Sequence, residues 1–169
     1  FFGLVRMTRA VLPHMRGAGS GRIVNIGSVL GFLPMPFSAL YSATKHAVEG
    51  YSESLDHELR TRGIRVSVIE PAYTRTKFDA NFLAADAMID EYRDTRAALG
   101  KVLESVMASA DEPEVVAGVV LQAATDATPR LRYTAGGLAN RLRLLRRFAP
   151  ARMVDAGIRK DLRLDRSVS

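Results

Sequence analysis

Tyr41 and Lys45 stand four residues apart at the start of a long amphipathic run, in the stretch Ser38-Ala39-Leu40-Tyr41-Ser42-Ala43-Thr44-Lys45. On a helix, positions i and i+4 share a face, so an ammonium can lie close to a phenol. A free phenol titrates near ~10, too high for a base at neutral pH, but a fixed cation stabilises the phenolate and lowers that value. So tuned, Tyr41 could give a proton to a forming alkoxide or take one from an alcohol, a service worth roughly 10²- to 10⁴-fold in rate. Taken alone, the pair fits a core tyrosine beside a surface lysine better. Ser28 reverses that preference: it ends a strand-like run thirteen residues before Tyr41, at the carboxyl edge where open α/β sheets bind ligands. A hydroxyl there could hydrogen-bond the reacting oxygen.

These residues need elements to position them. Val5, Thr8-Arg9, Leu12 and Met15 follow helical spacing up to Gly17-Ala18-Gly19-Ser20-Gly21, which predicts a helix over residues 1–16. Arg22 to Ser28 (RIVNIGS) is short, apolar and β-branched, as in a strand buried on both faces of a parallel sheet. Residues 29–37, VLGFLPMPF, contain Gly31, Pro34 and Pro36 and read as an apolar loop. From about Ala39, the spacing of Leu40, Ala43-Thr44, Ala47-Val48, Tyr51, Leu55 and Leu59 predicts a long helix, ended by Arg60, Arg62 and Gly63. Ile64 to Ile69 is a second strand, stopped by Pro71. Residues 78–110 read as two helical pieces. Asp111-Glu112-Pro113-Glu114 reads as a helix start capped by Asp111, Leu131 to Thr134 as a last edge strand, and the Arg-rich segment from Leu138 as an amphipathic helix. Alternating helices and strands imply an α/β fold with a parallel sheet.

Three segments together resemble the C-terminal part of a short-chain dehydrogenase/reductase. They are Gly21-Arg22-Ile23-Val24-Asn25-Ile26-Gly27-Ser28, Tyr41-Ser42-Ala43-Thr44-Lys45 and Gly63-Ile64-Arg65-Val66-Ser67-Val68-Ile69-Glu70-Pro71, in family order and spacing within residues 1–135. The resemblance implies a Rossmann-like, doubly wound parallel sheet without its N-terminal βαβ half. It also implies an enzyme moving hydride between NAD or NADP and a carbonyl or alcohol. In it Ser28 orients and polarises the substrate oxygen, Tyr41 is proton donor or acceptor, and Lys45 also holds the nicotinamide ribose hydroxyls beside Tyr41. The turn Pro71-Ala72-Tyr73-Thr74-Arg75-Thr76 meets the cofactor through Pro71, Ala72, Thr74 and Thr76. Ala72 replaces the family's usual glycine, which is tolerable only if the backbone there has negative φ. Leu30, Ser38 and Tyr73 join Ser28 as substrate contacts. Residues 1–137 form one domain, with 78–110 as its substrate lid, and 138–169 form a basic tail. The glycine-rich phosphate loop and the residue choosing NAD or NADP belong to the first βαβ unit, which these residues do not include, and the family's catalytic asparagine falls upstream of Phe1. The chain opens Phe-Phe-Gly inside a helical run, so a piece of a longer protein is expected, inactive unless its N-terminal half is supplied.

Composition supports one globular domain: 169 residues, 47% hydrophobic and 25% charged. No apolar stretch reaches the roughly 18 residues of a membrane span, and a cytoplasmic location is the default expectation. Without cysteine, thiolate metal sites are excluded, and His14, His46 and His57 lack ligand spacing, so no metal is expected. The net charge of +6 is concentrated at the end, where residues 129–169 hold 11 Lys/Arg against 3 Asp/Glu. A solvated or docked helix is the plainer reading of that basicity, contact with a membrane surface the bolder one, and nucleic acid is not expected. His46 and His57 share a helix face, and residues 39–62 are the expected seam of a homo-oligomer. The Leu-, Phe- and Met-rich segments after Ser28 and after the cofactor turn suggest a lipophilic small-molecule substrate, or else simply pack the lid. A serine hydrolase is disfavoured because a nucleophile elbow needs glycine two residues either side of the serine, where Ile26 and Leu30 stand. The remaining alternative is an inactive or partner-binding remnant of such an enzyme.

Overall fold

The computed structural model describes residues 1–77 and 87–162. Helix α1 (Phe2–Ala18) leads into strand β1 (Gly21–Ile26), followed by a single 3-10 turn (Val29–Gly31), helix α2 (Ala39–Leu59) and strand β2 (Ile64–Pro71). Then come α3 (Arg93–Met107), α4 (Pro113–Thr125), β3 (Arg132–Ala135), α5 (Gly137–Phe148) and α6 (Ala151–Asp161). The strands form one parallel sheet in the order β1-β2-β3, with Ile23 opposite Val66 and Ile69 opposite Tyr133.

Strand periodicity sorts the side chains onto two faces. Ile23, Ile64 and Val66 pack with Leu55 and Leu59 of α2 and Leu12 and Met15 of α1. Val24, Ile69, Tyr133 and Ala135 pack with Ala123, Val116, Val119 and Val120 of α4. Helices therefore cover both faces, as the Rossmann-like fold requires, and each buried Ile or Val contributes roughly 1.5–3 kcal/mol. The α2–β2 connection turns on Gly63, whose φ is 72° and whose added Cβ would lie 2.2 Å from the Gly19 carbonyl oxygen. Only glycine fits that crossing of two turns.

The buried face of α2 is unusually polar, and each charge has a partner. Asp56, with no exposed side-chain surface, accepts hydrogen bonds from Arg65 Nε at 2.8 Å, Arg60 Nη2 at 2.6 Å and the Val66 backbone N–H at 3.0 Å. Asn25 Nδ2 donates to Ser52 Oγ at 2.9 Å.

Two local expectations change, and a third is met in part. Asp111 is not the cap of α4, because Glu112 occupies that position, and the Asp111 backbone is engaged elsewhere. Of the two helical pieces expected over residues 78–110, one is α3, and residues 78–86 lie outside the described residues. The tail is two helices, not one. Pro150 holds the preceding Ala149 in an extended conformation, φ −78° and ψ 141°, which closes α5.

The end of the sheet is held by Tyr133, whose hydroxyl donates to Asp126 Oδ2 at 3.0 Å and accepts from the Arg130 N–H at 2.9 Å. The Arg130 guanidinium lies 4.4 Å from the ring centroid. Tyr133→Phe keeps the ring packing and strands the Arg130 amide. The expected loss is about 1–2 kcal/mol in urea denaturation; an unchanged midpoint and slope would refute this account.

Candidate active site

The carboxyl ends of β1 and β2 lie side by side, joined past the ladder by the Gly27 N–H donating to the Ile69 carbonyl at 2.8 Å. Ser28 follows at once, beyond the strand end. It is extended (φ −174°, ψ 161°) and caps the 3-10 turn, its Oγ accepting from the Leu30 N–H at 3.1 Å. Ser28 is buried. Its hydroxyl is also hydrogen-bonded to Tyr41, which α2 presents in its first turn. Lys45, one turn further, lies 5.5 Å from the centroid of the Tyr41 ring and donates from Nζ to the Ile26 carbonyl at 3.0 Å. The structure thus brings Ser28, Tyr41 and Lys45 to one place at the sheet's carboxyl edge.

The electrostatic balance differs from the expected one. Burial raises the Tyr41 phenol above its ordinary value, and the Ser28 hydrogen bond only partly offsets this. Burial also lowers Lys45. The ammonium is aimed at the Ile26 carbonyl rather than set to pull Tyr41 down, so in this arrangement Tyr41 is a held phenol.

The turn after β2 sits beside this trio. Pro71 ends β2 opposite Ala135. Ala72 has no positive φ, since Phe37 is the single non-glycine residue with one among the described residues, so the methyl in place of glycine carries no backbone strain. Tyr73 and Arg75 bracket Thr74 and bind Asp111 through the backbone: the Asp111 N–H donates to the Tyr73 carbonyl at 3.1 Å, and the Arg75 N–H to the Asp111 carbonyl at 2.9 Å. Thr74 Oγ1 is buried with no hydrogen-bond partner, an orphan that a polar group held at this turn would satisfy. Thr76, by contrast, is exposed. The turn therefore has an unmet hydrogen-bonding group at Thr74, which fits the polar edge of the expected cofactor.

The expected substrate contacts are spread over three elements, with Tyr73 in the turn just described. Leu30 is half-buried in the 3-10 turn, Ser38 caps α2 without using its side chain, and burial raises the Tyr73 phenol. Phe37, forced to φ 59°, stacks edge-on against Tyr92 at 5.8 Å between ring centroids. A bulky side chain in that backbone region is strained and marks a conformation the surroundings impose.

Four charged residues beside the site escape a reading from spacing. Glu49 lies one turn past Lys45, and Glu70 follows Val68 and Ile69 at the buried end of β2. They are held by Arg132 and Arg143, so part of the basic tail is anchored to the sheet. Along α5, Leu138 and Leu142 are half-buried, whereas Leu145 and Phe148 are exposed. No described helix is long and apolar enough to cross a membrane.

A sequence model described as short chain dehydrogenase matches residues 1–87. A 3-ketodihydrosphingosine reductase of Bacteroides thetaiotaomicron is 34% identical over 82% of this chain and 52% of its own length. The crystal structure of a short-chain dehydrogenase from Streptomyces avermitilis superposes with a TM-score of 0.71 at 29% identity, covering 100% of this chain and 60% of that one. A closed form of serine dehydrogenase complexed with NADP+ gives a TM-score of 0.63 at 31% identity over 78% of this chain and 50% of that one. The chain spans about half the length of the curated relatives it matches.

Proposed function

Given that the chain belongs to the short-chain dehydrogenase family, we propose that it carries the proton-transfer half of an NAD- or NADP-dependent oxidoreductase that interconverts a lipophilic alcohol with its ketone or aldehyde. The observation that carries this reading is the hydrogen-bonded Ser28–Tyr41 pair with Lys45 one turn away. Ser28 Oγ binds and polarises the carbonyl oxygen. Tyr41 Oη gives that oxygen a proton in reduction and removes it in oxidation. Lys45 with Tyr41, and the Pro71–Thr76 turn through Pro71, Ala72, Thr74 and Thr76, would hold the nicotinamide nucleotide. When bound there, the nicotinamide supplies or accepts hydride at the carbon bearing that oxygen.

The lipophilic class is supported by the half-exposed Phe37 and Tyr92 at the rim, by Leu30 with Tyr73 beside the trio, and by the reductase relative named for a ketone on a long-chain base. The outer face of α2 carries Ala43, His46, Gly50, Ser54 and His57, all exposed, and is the proposed seam of a homo-oligomer.

The test is a screen of the whole gene product with both nicotinamide nucleotides against long-chain ketones and alcohols, followed at the nicotinamide absorbance. Cofactor-dependent turnover that falls about 100-fold in Ser28→Ala supports the reading. Absence of turnover with every carbonyl class, or an unaffected variant, overturns it. The pH response has a defined sign. Because burial raises Tyr41, the phenol stays protonated through neutrality, so carbonyl reduction should be flat there and decline only in alkali, while alcohol oxidation, which needs the phenolate, should climb with pH. The 169-residue chain alone, which lacks a glycine-rich loop after a strand, is expected to show no turnover; a rate equal to that of the whole gene product would contradict this.

A further inference from the structure

Behind Ser28 runs a line of charge that the proton transfer itself does not use. Glu70, the last residue before Pro71, has no exposed surface and is hydrogen-bonded by the Arg143 guanidinium of α5. Arg132 Nε on β3 lies 3.7 Å from Glu70 Oε1 and donates to Glu49 Oε2 at 2.9 Å, and its Nη2 donates to Glu53 Oε2 at 2.7 Å. Glu49 runs directly under the loop that bears Ser28. A Cβ on Gly27 would sit 3.1 Å from Glu49 Oε1, and one on Gly31 would sit 2.8 Å from its Cγ, so both glycines are needed for the loop to settle there. The Arg143 guanidinium also stands 6.0 Å from the centroid of Phe32, just after that loop. One helix outside the trio thus reaches both the strand leading to the cofactor turn and the segment leading from Ser28.

Ion pairs of this burial contribute little net stability, because desolvation offsets the Coulomb gain. This set is not even fully satisfied: Glu49 Oε1 and Glu70 Oε1 are buried without a hydrogen-bond partner. Stability is therefore a poor account of the network, and its location offers a better one.

We propose that Arg143 is a positioning residue of the oxidoreductase site. By gripping Glu70 and Phe32 from α5 it fixes the spacing between the cofactor turn and the Ser28 loop, and the Arg132–Glu49 pair extends that constraint to the helix bearing Tyr41 and Lys45. The inference rests on the reading of that trio given above. It makes α5 part of the catalytic apparatus, not a basic arm.

The charge logic supplies a distinctive signature. Burial pushes the Glu70 carboxyl up, Arg143 pulls it back, Glu49 raises it again and Arg132 lowers it. These are the charged groups facing it from α5, α2 and β3, with Glu53 reached only through Arg132; residues 27–31 contribute none. Removing Arg143 strands a charge when Glu70 is ionised and strands none when it is protonated. In the whole gene product, Arg143→Met should therefore lower kcat and weaken cofactor binding, the latter read by nicotinamide fluorescence, by about 10- to 100-fold. The loss should be larger at about pH 8.5 than at about pH 6, because ionisation rises with pH. Adding Glu70→Gln to Arg143→Met should restore most of the lost cofactor affinity, and Arg143→Lys should melt like the parent and lie between the two in kcat. Parental kcat and affinity in Arg143→Met at the higher pH would overturn the proposal. So would an equal loss at both pH values with no recovery in the double variant, which would mark a packing defect. Failure of the underlying reading looks different: Tyr41→Phe would then turn over at the parental rate, while cofactor affinity, which needs no proton transfer, would still report on Arg143.

Discussion

Tyr41→Phe is expected to slow turnover of the whole gene product by roughly 10²- to 10⁴-fold, equivalent to about 2.7–5.5 kcal/mol of transition-state stabilisation. The same change removes from the folded state one hydrogen bond to Ser28, worth only about 0.5–1.5 kcal/mol. The contrast between the two magnitudes is the test. A packing role predicts a lowered melting temperature with little kinetic loss, whereas the proton-transfer role predicts a collapse in kcat with melting nearly unchanged. Substrate should still bind, because Ser28 keeps its hydroxyl, so the loss should fall on kcat more than on KM. Retained turnover in Tyr41→Phe would refute the assignment.

The largest stability effect is expected at Asp56. This carboxylate has no exposed side-chain surface and joins α2 to the start of β2 through Arg65 and the Val66 N–H, with Arg60 closing the helix end. Asp56→Ala leaves a buried backbone donor unpaired and two cations without their partner. Since both arginines are partly solvated, the cost comes chiefly from the lost charged hydrogen bonds, about 3 kcal/mol. The pH dependence has a fixed direction. Burial alone would raise Asp56, but hydrogen bonds from Arg65, Val66 and Arg60 outweigh it and hold the carboxyl below the ordinary aspartate value. A depressed folded-state value means stability that is complete above the unfolded value and is lost as pH falls through the folded one. The gap between parent and variant in urea denaturation should thus be constant through neutral pH and close in acid. A gap that widens in acid would contradict the ion-pair account.

The legibility of these features follows their distance along the chain. Ser28, Tyr41 and Lys45 fall within 18 residues, on a strand end and the helix after it, so strand length and i, i+4 spacing suffice to bring them together. The two-faced sheet is readable for a similar reason, because RIVNI and IRVSVI carry their own period. Glu70 is different. Its charge at the buried end of β2 announces a partner, yet the partners lie 62 and 73 residues onward, and only the β2–β3 register and the docking of α5 bring them in. Asp111 misleads in the opposite way. Its local preference is to cap a helix, but a tertiary backbone pairing with the cofactor turn takes precedence. The division of the tail at Pro150 was open to a strictly local argument, since a proline restricts the residue before it.

That pairing of Thr74 with Asp111 has a consequence beyond the turn itself. Two backbone hydrogen bonds clamp positions 73–75 to position 111, so the two ends of the intervening sequence are held side by side. Its length is then nearly decoupled from the sheet, because enlarging a closed loop costs only the entropy of bringing its ends together, about 0.6 kcal/mol per doubling. Exchanging the substrate lid expected at 78–110 should therefore alter substrate preference while Ser28, Tyr41, Lys45 and the clamp at 73–75 stay in place.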